Sequence, residues 1–265
     1  MSPAYDVLSA VYDHFQTDID PQIWAARLHQ WIQTYRLPHE HQGDGGKPLL
    51  VDLGCGTGRF LKAFSDLNYD LIGIDASSNM LEHCRERFFE EAQQPILLQQ
   101  DLRQFELYGT VDVMICLLDT VNHLTAEVDL AAFFDLCHNY LHPGGVFIFD
   151  CATAHHFEQT LGDRVFFSVA ADHTLWWQNT YQQDEQFNRA DLILFEPVAV
   201  DDLTGDDLYL RRDTTIEERF YPLDVLCQQL QKSGFKQILV KGDQSDEPQA
   251  TDERWFIIAQ SGKHS

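Results

Sequence analysis

Gly54, Gly56 and Gly58 punctuate the segment Val51-Asp52-Leu53-Gly54-Cys55-Gly56-Thr57-Gly58, and two further acids, Asp75 and Asp101, close the next two apolar runs. Without a Cβ, glycine lets the backbone bend sharply and come close to a ligand. A turn of this kind between a strand and a helix is where an open α/β sheet holds a nucleotide. Asp75 stands about 20 residues beyond the turn, where a carboxylate can accept both hydroxyls of a ribose as charge-assisted hydrogen bonds. Asp101, in Gln99-Gln100-Asp101-Leu102, is set to stand beside an adenine and accept from its exocyclic amine. Singly, each acid reads equally well as a helix cap or a surface carboxylate. Asp52, Asp75 and Asp101 at three successive strand ends read together as a site. The dinucleotide order G-x-G-x-x-G would need glycine where Arg59 stands, which weighs against a nicotinamide cofactor. Cys55 reads as a small residue tolerated in a tight turn, because a reactive thiol needs an electropositive setting.

Groups able to move a proton lie farther along. His123 follows the fourth strand signal, and His155 and His156 follow the fifth; any of the three has the titration range of a base, although the chain holds 12 histidines and a surface role is open to each. Tyr5-Asp6 and Tyr12-Asp13 are seven residues apart, two turns of a helix and hence one face. Tyr12 is the candidate contact if that helix closes over the site and, with His123 and His155, a candidate catalytic residue; packing against the core is the alternative. Between residues 152 and 220 lie Phe166, Phe167, Trp176, Trp177, Tyr181 and Phe187 with Arg211 and Arg212. The rings could enclose a cation, the arginines could hold a carboxylate or phosphate, or the aromatics could form a local core or a subunit interface.

The elements that must position these residues follow from periodicity. Apolar residues at Val7, Leu8, Val11, Tyr12 and Phe15, then at Ile23, Trp24, Leu28, Trp31 and Ile32, have helical spacing, with Asp20-Pro21 as the start of the second run. Residues 39–48 read as a loop. Strand signals at 49–53, 70–75, 96–100, 111–117 and 146–150 alternate with helix signals at 58–67, 79–92 and 130–141, which predicts a parallel sheet covered by helices on both faces. Residues 165–171, 175–182, 190–198 and 208–221 read as antiparallel strands. A helix at 222–233 stopped by Gly234, and a strand pair at 235–241 and 255–260, end the pattern. The expected fold class is therefore α/β: a Rossmann-like parallel sheet whose last strand is antiparallel, helices on both faces, and a small antiparallel β insertion after the fifth strand. The expected divisions are 1–48, an N-terminal helical lid; 49–151, a nucleotide-binding core; 152–220, the β insertion, acting as acceptor-side cover or dimer interface; and 221–265, the helix and strand pair that complete the core.

A length of 265 residues suits one large domain with an insertion. A net charge of −24 repels long nucleic acids and anionic membranes. No apolar run approaches the roughly 20 residues needed to cross a bilayer, and Met1-Ser2-Pro3-Ala4-Tyr5-Asp6 lacks a secretion signal, which points to the cytoplasm. Six cysteines without a Cys-x-x-Cys pair read as reduced thiols, with no metal-ligand spacing.

Four segments in order, 50–58, 72–80, 100–102 and 143–150, resemble the motifs of class I S-adenosylmethionine (SAM) dependent methyltransferases, most nearly small uncharacterised bacterial enzymes of that class with a Tyr-Asp-rich first helix and an antiparallel insertion. The resemblance covers roughly residues 49 to 150, and the end of the chain is similar as well. It implies SAM as cofactor, S-adenosylhomocysteine (SAH) as product and methylation of a small-molecule acceptor. It also implies that Gly54 and Gly56 face the methionine part, with Cys55 among the cofactor-binding residues, that Asp52 lies near the ammonium, directly or through water, and that Asp75 meets the ribose. Ala76 and Met80 would surround the adenine, Asp101 and Leu102 meet its edge, Leu117 and Leu118 line the cofactor, and Tyr12 close over it. A non-catalytic SAM-binding regulator or scaffold is the alternative function, and a homodimer through the inserted sheet the alternative use of that sheet.

Overall fold

The apolar runs after residue 48 become the strands of the computed structural model, which describes residues 4–37, 46–170 and 172–262. The core strands are β1 (Leu49–Leu53), β2 (Asp70–Asp75), β3 (Ile96–Gln99), β4 (Val111–Cys116) and β5 (Leu141–Ala152). An inserted group follows, β6 (Val165–Ala170), β7 (His173–Gln182), β8 (Phe187–Val200) and β9 (Asp207–Arg219), and the chain closes with β10 (Phe235–Gly242) and β11 (Arg254–Ser261). The main sheet has the order β10-β11-β5-β4-β1-β2-β3. β1 to β5 are mutually parallel, and β11 runs antiparallel to both β5 and β10.

The helices are α1 (Ala4–Leu8), α2 (Tyr12–Phe15), α3 (Pro21–Tyr35), α4 (Arg59–Ser65), α5 (Ser78–Arg87), α6 (Glu127–Tyr140) and α7 (Leu223–Ser233). Both faces of the sheet are covered, so its strands alternate between two apolar layers rather than between oil and water. Val51, Leu53, Met114, Phe147 and Phe149 pack with Phe133 and Phe134 of α6 and Leu226 of α7. On the other face Leu50, Val113, Ile115 and Ile148 pack with Leu28 of α3, Leu61 and Phe64 of α4, and Leu81 of α5. β1 lies between β4 and β2, so the direction of winding reverses there and a crevice opens at the carboxyl ends of β1 and β4.

Several local expectations hold, and several are corrected. Asp20 caps α3 by accepting from the Gln22 and Ile23 amides, and Gly234 ends α7 at φ 107°. The N-terminal run is two short helices instead of one. The Ser9 hydroxyl donates to the Asp6 carbonyl, a local bond that competes with the helical ladder, and the chain turns over residues 9–11. The helix expected to reach residue 92 ends at Arg87, where Phe88 turns into the core. Most of the loop expected at 39–48, and the last residue of the strand expected at 165–171, lie outside the described residues. Among the described residues no helix is long and apolar enough to cross a membrane.

β6 to β9 form a separate antiparallel sheet. One face of it, carrying Leu175, Ala190, Leu192 and Leu194, packs on Leu8 and Val11 beside Phe15 and Trp177. The N-terminal helices are thus held between this sheet and the crevice. Arg211 pairs with Asp213 and Arg212 with Glu196 on exposed stretches, so neither is placed to hold an acceptor.

Candidate active site

The glycine turn is drawn across the end of β2 by two bonds to one carbonyl, from the amides of Gly54 (2.8 Å) and Cys55 (3.0 Å) to Ile74. A Cβ on Gly54, whose φ is +82°, would stand 2.6 Å from Thr120 Cγ2, so only glycine fits. Gly56 differs: nothing lies within 4 Å of where its Cβ would be, leaving space above the turn for a ligand. Asp75 faces this space, its carboxylate accepting from the Gly56 amide (2.9 Å) and the Ser77 amide (2.9 Å). Burial raises the Asp75 carboxyl above the usual carboxylate range, although those amides pull the other way.

Asp52, only 2 % exposed, lies under the turn. Burial, and then the neighbouring Asp75, push its carboxyl up to about 8. Asp75 lines a small cavity with Gly56 and Met80 that no lysine or arginine lines. Asp52 lines the adjoining one, where Arg59 is already bonded to the Gln16 and Ile19 carbonyls. Two buried acids side by side favour a cation. SAM carries an ammonium and a sulfonium, so its charge fits this donor set.

Of the remaining candidates, Asp52, Gly54, Cys55, Leu117 and Leu118 come together around one small cavity with Tyr12. Met80 and Asp75 join Tyr12 and Leu118 around the adjoining one. Ala76 sits at the exit of β2 with its carbonyl taken by Gln99 Nε2 (3.2 Å). Asp101 and Leu102 line a larger, open cavity of about 430 Å³ next to these. There Asp101 accepts from Arg103 Nη2 at 2.5 Å, and that bond holds its carboxyl low, at about 2. Cys55 is buried, and its thiol is raised well above the ordinary range by its bond with Cys84 and by burial, which fits a packing residue.

The loop after β4 carries two consecutive non-glycine residues in the left-handed region, Leu118 and Asp119, each at φ 59°. Such a conformation costs roughly 1–2 kcal/mol per residue and needs outside support. Asp150 at the end of β5 supplies it, accepting from the Leu118 amide (2.7 Å) and the Asp119 amide (3.1 Å). Arg254 of β11 neutralises the group, pairing with Asp150 and reaching Asp119 Oδ2 at 2.8 Å. Even so, burial pushes the Asp150 carboxyl up to about 6. Sequence reasoning saw Asp150 only as a strand end and had no signal for Arg254.

The N-terminal segment is tied over the crevice by bonds that periodicity could not reveal. Ser77 Oγ donates to Asp6 (2.5 Å), and Thr57 Oγ1 donates to Asp13 (2.7 Å), which also pairs with Arg87. Arg59 donates to the carbonyls of Gln16 (2.7 Å) and Ile19 (2.8 Å). The residue that breaks the dinucleotide pattern therefore fastens this strap. Tyr5 and Tyr12 meet edge to face at 6.0 Å despite the break in the helix.

Beyond the two tyrosines lies a cavity of about 210 Å³, walled by the inner face of the inserted sheet and sharing Tyr5, Tyr12, Leu118 and His123 with the small cavity at Asp75. His123 stands where the two meet. Its Nδ1 is 3.2 Å from the Glu217 carbonyl, an acceptor only, so Nδ1 carries the proton and Nε2 accepts from the Tyr5 hydroxyl at 2.7 Å. His156 lines the cavity and binds Glu253 at 2.7 Å, whereas His155 is turned toward Glu253 at 3.7 Å and lines none of the cavities described. Tyr5 was missed as a candidate because its partner is 118 residues away.

Residues 50–145 match the methyltransferase domain family. The chain is 28% identical to the "Putative methyltransferase YqeM" of Bacillus subtilis (strain 168), over 98% of this chain and 98% of the relative. Its fold is similar to that of an S-adenosylmethionine-dependent methyltransferase from Clostridium acetobutylicum, with TM-score 0.80 and 23% identity over 98% and 100% of the two chains. It is also similar to SAM-bound CalS10, an amino pentose methyltransferase from Micromonospora echinaspora, with TM-score 0.67 and 18% identity over 96% of each chain.

Proposed function

We propose, for a chain that is a class I SAM-dependent methyltransferase in domain and fold, that it methylates a small molecule held in the 210 Å³ cavity, with His123 and Tyr5 handling the acceptor's proton. The observation that carries this reading is that this cavity adjoins the cleft at Asp75, the two sharing Tyr5, Tyr12, Leu118 and His123 as lining. A scaffold that only held SAM would have no use for an apolar chamber at its reactive end.

SAM, when bound, supplies a methyl group on a sulfonium leaving group. The chain's residues do the rest. Gly54, Gly56 and the left-handed Leu118 shape the cleft, in which Asp75 would hold the ribose and Asp52 would pair with the ammonium. Tyr12 and the strap above it exclude water and keep the acceptor in line, which is the main task in such a transfer. The acceptor's proton passes by way of the Tyr5 hydroxyl to Nε2 of His123, whose tautomer the Glu217 carbonyl sets.

Incubation with methyl-labelled SAM and fractionated small-molecule extracts should yield labelled product and SAH in equal amounts. Substituting His123→Ala should lower kcat by about a hundredfold or more, with SAM affinity nearly unchanged. SAM bound by the wild type without turnover in any fraction would overturn the proposal.

Asp52 gives the binding step a pH signature. Its carboxyl is raised to about 8, so near pH 7 it is largely protonated and must ionise to meet the ammonium. SAM binding is therefore expected to release close to one proton near neutral pH, with affinity climbing as pH rises toward 8. Calorimetry in buffers of different ionisation enthalpy measures this. Wild type and Asp52→Asn releasing the same number of protons would remove Asp52 from this role.

A further inference from the structure

Where it lines the cavity, the inner face of the inserted sheet is apolar at Leu175, Trp177, Ala190, Leu192 and Ile216 and polar at Asn179 and Glu218, which Asn188 joins. Along β7, alternate residues Leu175, Trp177 and Asn179 all line the acceptor cavity, as the pleat requires, so the third position places an amide where the pattern calls for an apolar side chain. Asn179 is 1 % exposed and Asn188 beside it on β8 is fully buried. Asn188 Nδ2 donates to Asn179 Oδ1 (3.2 Å) and to Glu218 Oε2 (3.2 Å). Asn179 Nδ2 has no hydrogen-bond partner.

Which end of each amide faces which way is decided by Glu218. A carboxylate only accepts, so it holds the NH2 of Asn188 toward itself; that NH2 then requires the oxygen of Asn179, and the NH2 of Asn179 is left without a partner on a residue that lines the cavity. A buried donor without a partner is costly, on the order of a lost hydrogen bond. An oxygen on the ligand in this chamber would satisfy it.

Charge narrows the ligand further. Asp119 and Glu218 line the cavity and no lysine or arginine does. In the adjoining 430 Å³ cavity both arginines are engaged, Arg103 with Asp101 (2.5 Å) and Arg189 with Asp191 (3.0 Å), beside Asp129 and Glu217. A phosphate or carboxylate would find acids at either place. Size sets the remaining limit, since a cavity of about 150 Å³ accepts benzene, and this one is moderately larger.

We infer that Asn179, oriented through Asn188 by Glu218, is an acceptor-binding residue that donates to an uncharged carbonyl, hydroxyl or ether oxygen, and that the acceptor is a compact molecule of about one ring without an anionic group. This rests on the methyl-transfer reading above and names the substrate class of the same site. Asn188 and Glu218 act as positioning residues.

Three probes of nearly equal size test it on the SAH-loaded protein: acetophenone, ethylbenzene, which lacks the oxygen, and benzoate. Calorimetry should show acetophenone binding about tenfold tighter than ethylbenzene and benzoate not binding. In Asn179→Ala the acetophenone preference should fall to about one, with SAH affinity unchanged as the sign of an intact fold; Asn179→Ser serves where the alanine variant fails that control. Equal binding of acetophenone and ethylbenzene by the wild type, a preference that survives in the variant, or benzoate binding as tightly as acetophenone would overturn the inference. Failure of the wild type to bind SAH would overturn the methyltransferase reading itself.

Discussion

Arg254→Met is expected to destabilise the protein by about 3–5 kcal/mol, because it leaves buried acids uncompensated. Asp150 is fully buried and Asp119 is 17% exposed, and Arg254 is the cation between them. The loss should also free the Leu117–Thr120 loop from its left-handed geometry, since Asp150, no longer neutralised, would bind a proton and accept less strongly from the Leu118 and Asp119 amides. Urea denaturation of the two proteins measures the first effect. Recovery of much of the stability in the triple variant Asp119→Asn, Asp150→Asn, Arg254→Met would locate the penalty in unpaired charge rather than in lost packing. A single variant within 1 kcal/mol of wild type would mean that water reaches the acids and the group does not support the loop.

For the cofactor, the largest effect is expected at Asp75→Ala. Two charge-assisted hydrogen bonds to a ribose are worth roughly 1.5–3 kcal/mol each, so affinity for SAM and SAH should drop a hundredfold or more. The variant also strands the amides of Gly56 and Ser77, which now donate to this carboxylate, so a fall in melting temperature should accompany the loss. Asp75→Asn retains one acceptor and should fall between the two. Calorimetry with SAM, with SAH, and with NADH as control decides the matter: a variant within threefold of wild type would show that the ribose is held elsewhere.

What could be read from the sequence was whatever depends on local pattern. β1, β2 and β4 were legible because strands buried on both faces are continuous apolar runs, and the turn at Gly54 because only glycine tolerates its φ and the approach of Thr120. The break after Leu8 was not legible, since Val7, Leu8 and Val11 keep helical spacing straight through it. Nor could spacing show that Asp6 and Asp13 reach Ser77 and Thr57, or that Arg59 holds carbonyls at residues 16 and 19, because these are long-range bonds between polar side chains. Asp101 was expected beside the adenine, accepting from its exocyclic amine, and its spacing did not show that Arg103, two residues on, also bonds the carboxylate. Asn179 left a trace, a polar residue where alternation from Leu175 and Trp177 calls for an apolar one, but an isolated break in alternation is ordinarily a solvent-facing residue.

The strap has a consequence for how the chain folds. Its docking partners are Thr57, Ser77 and Arg87 on one side and Leu175, Ala190 and Leu192 on the other, so its contacts with the inserted sheet close a loop that holds the whole of β1 to β5. Closing so long a loop is slow, and the core sheet can assemble before it happens. The strap is then expected to dock late, after a stage in which the sheet is formed and the cleft is still uncovered. A folded but open intermediate of this kind is where SAM would first be able to enter.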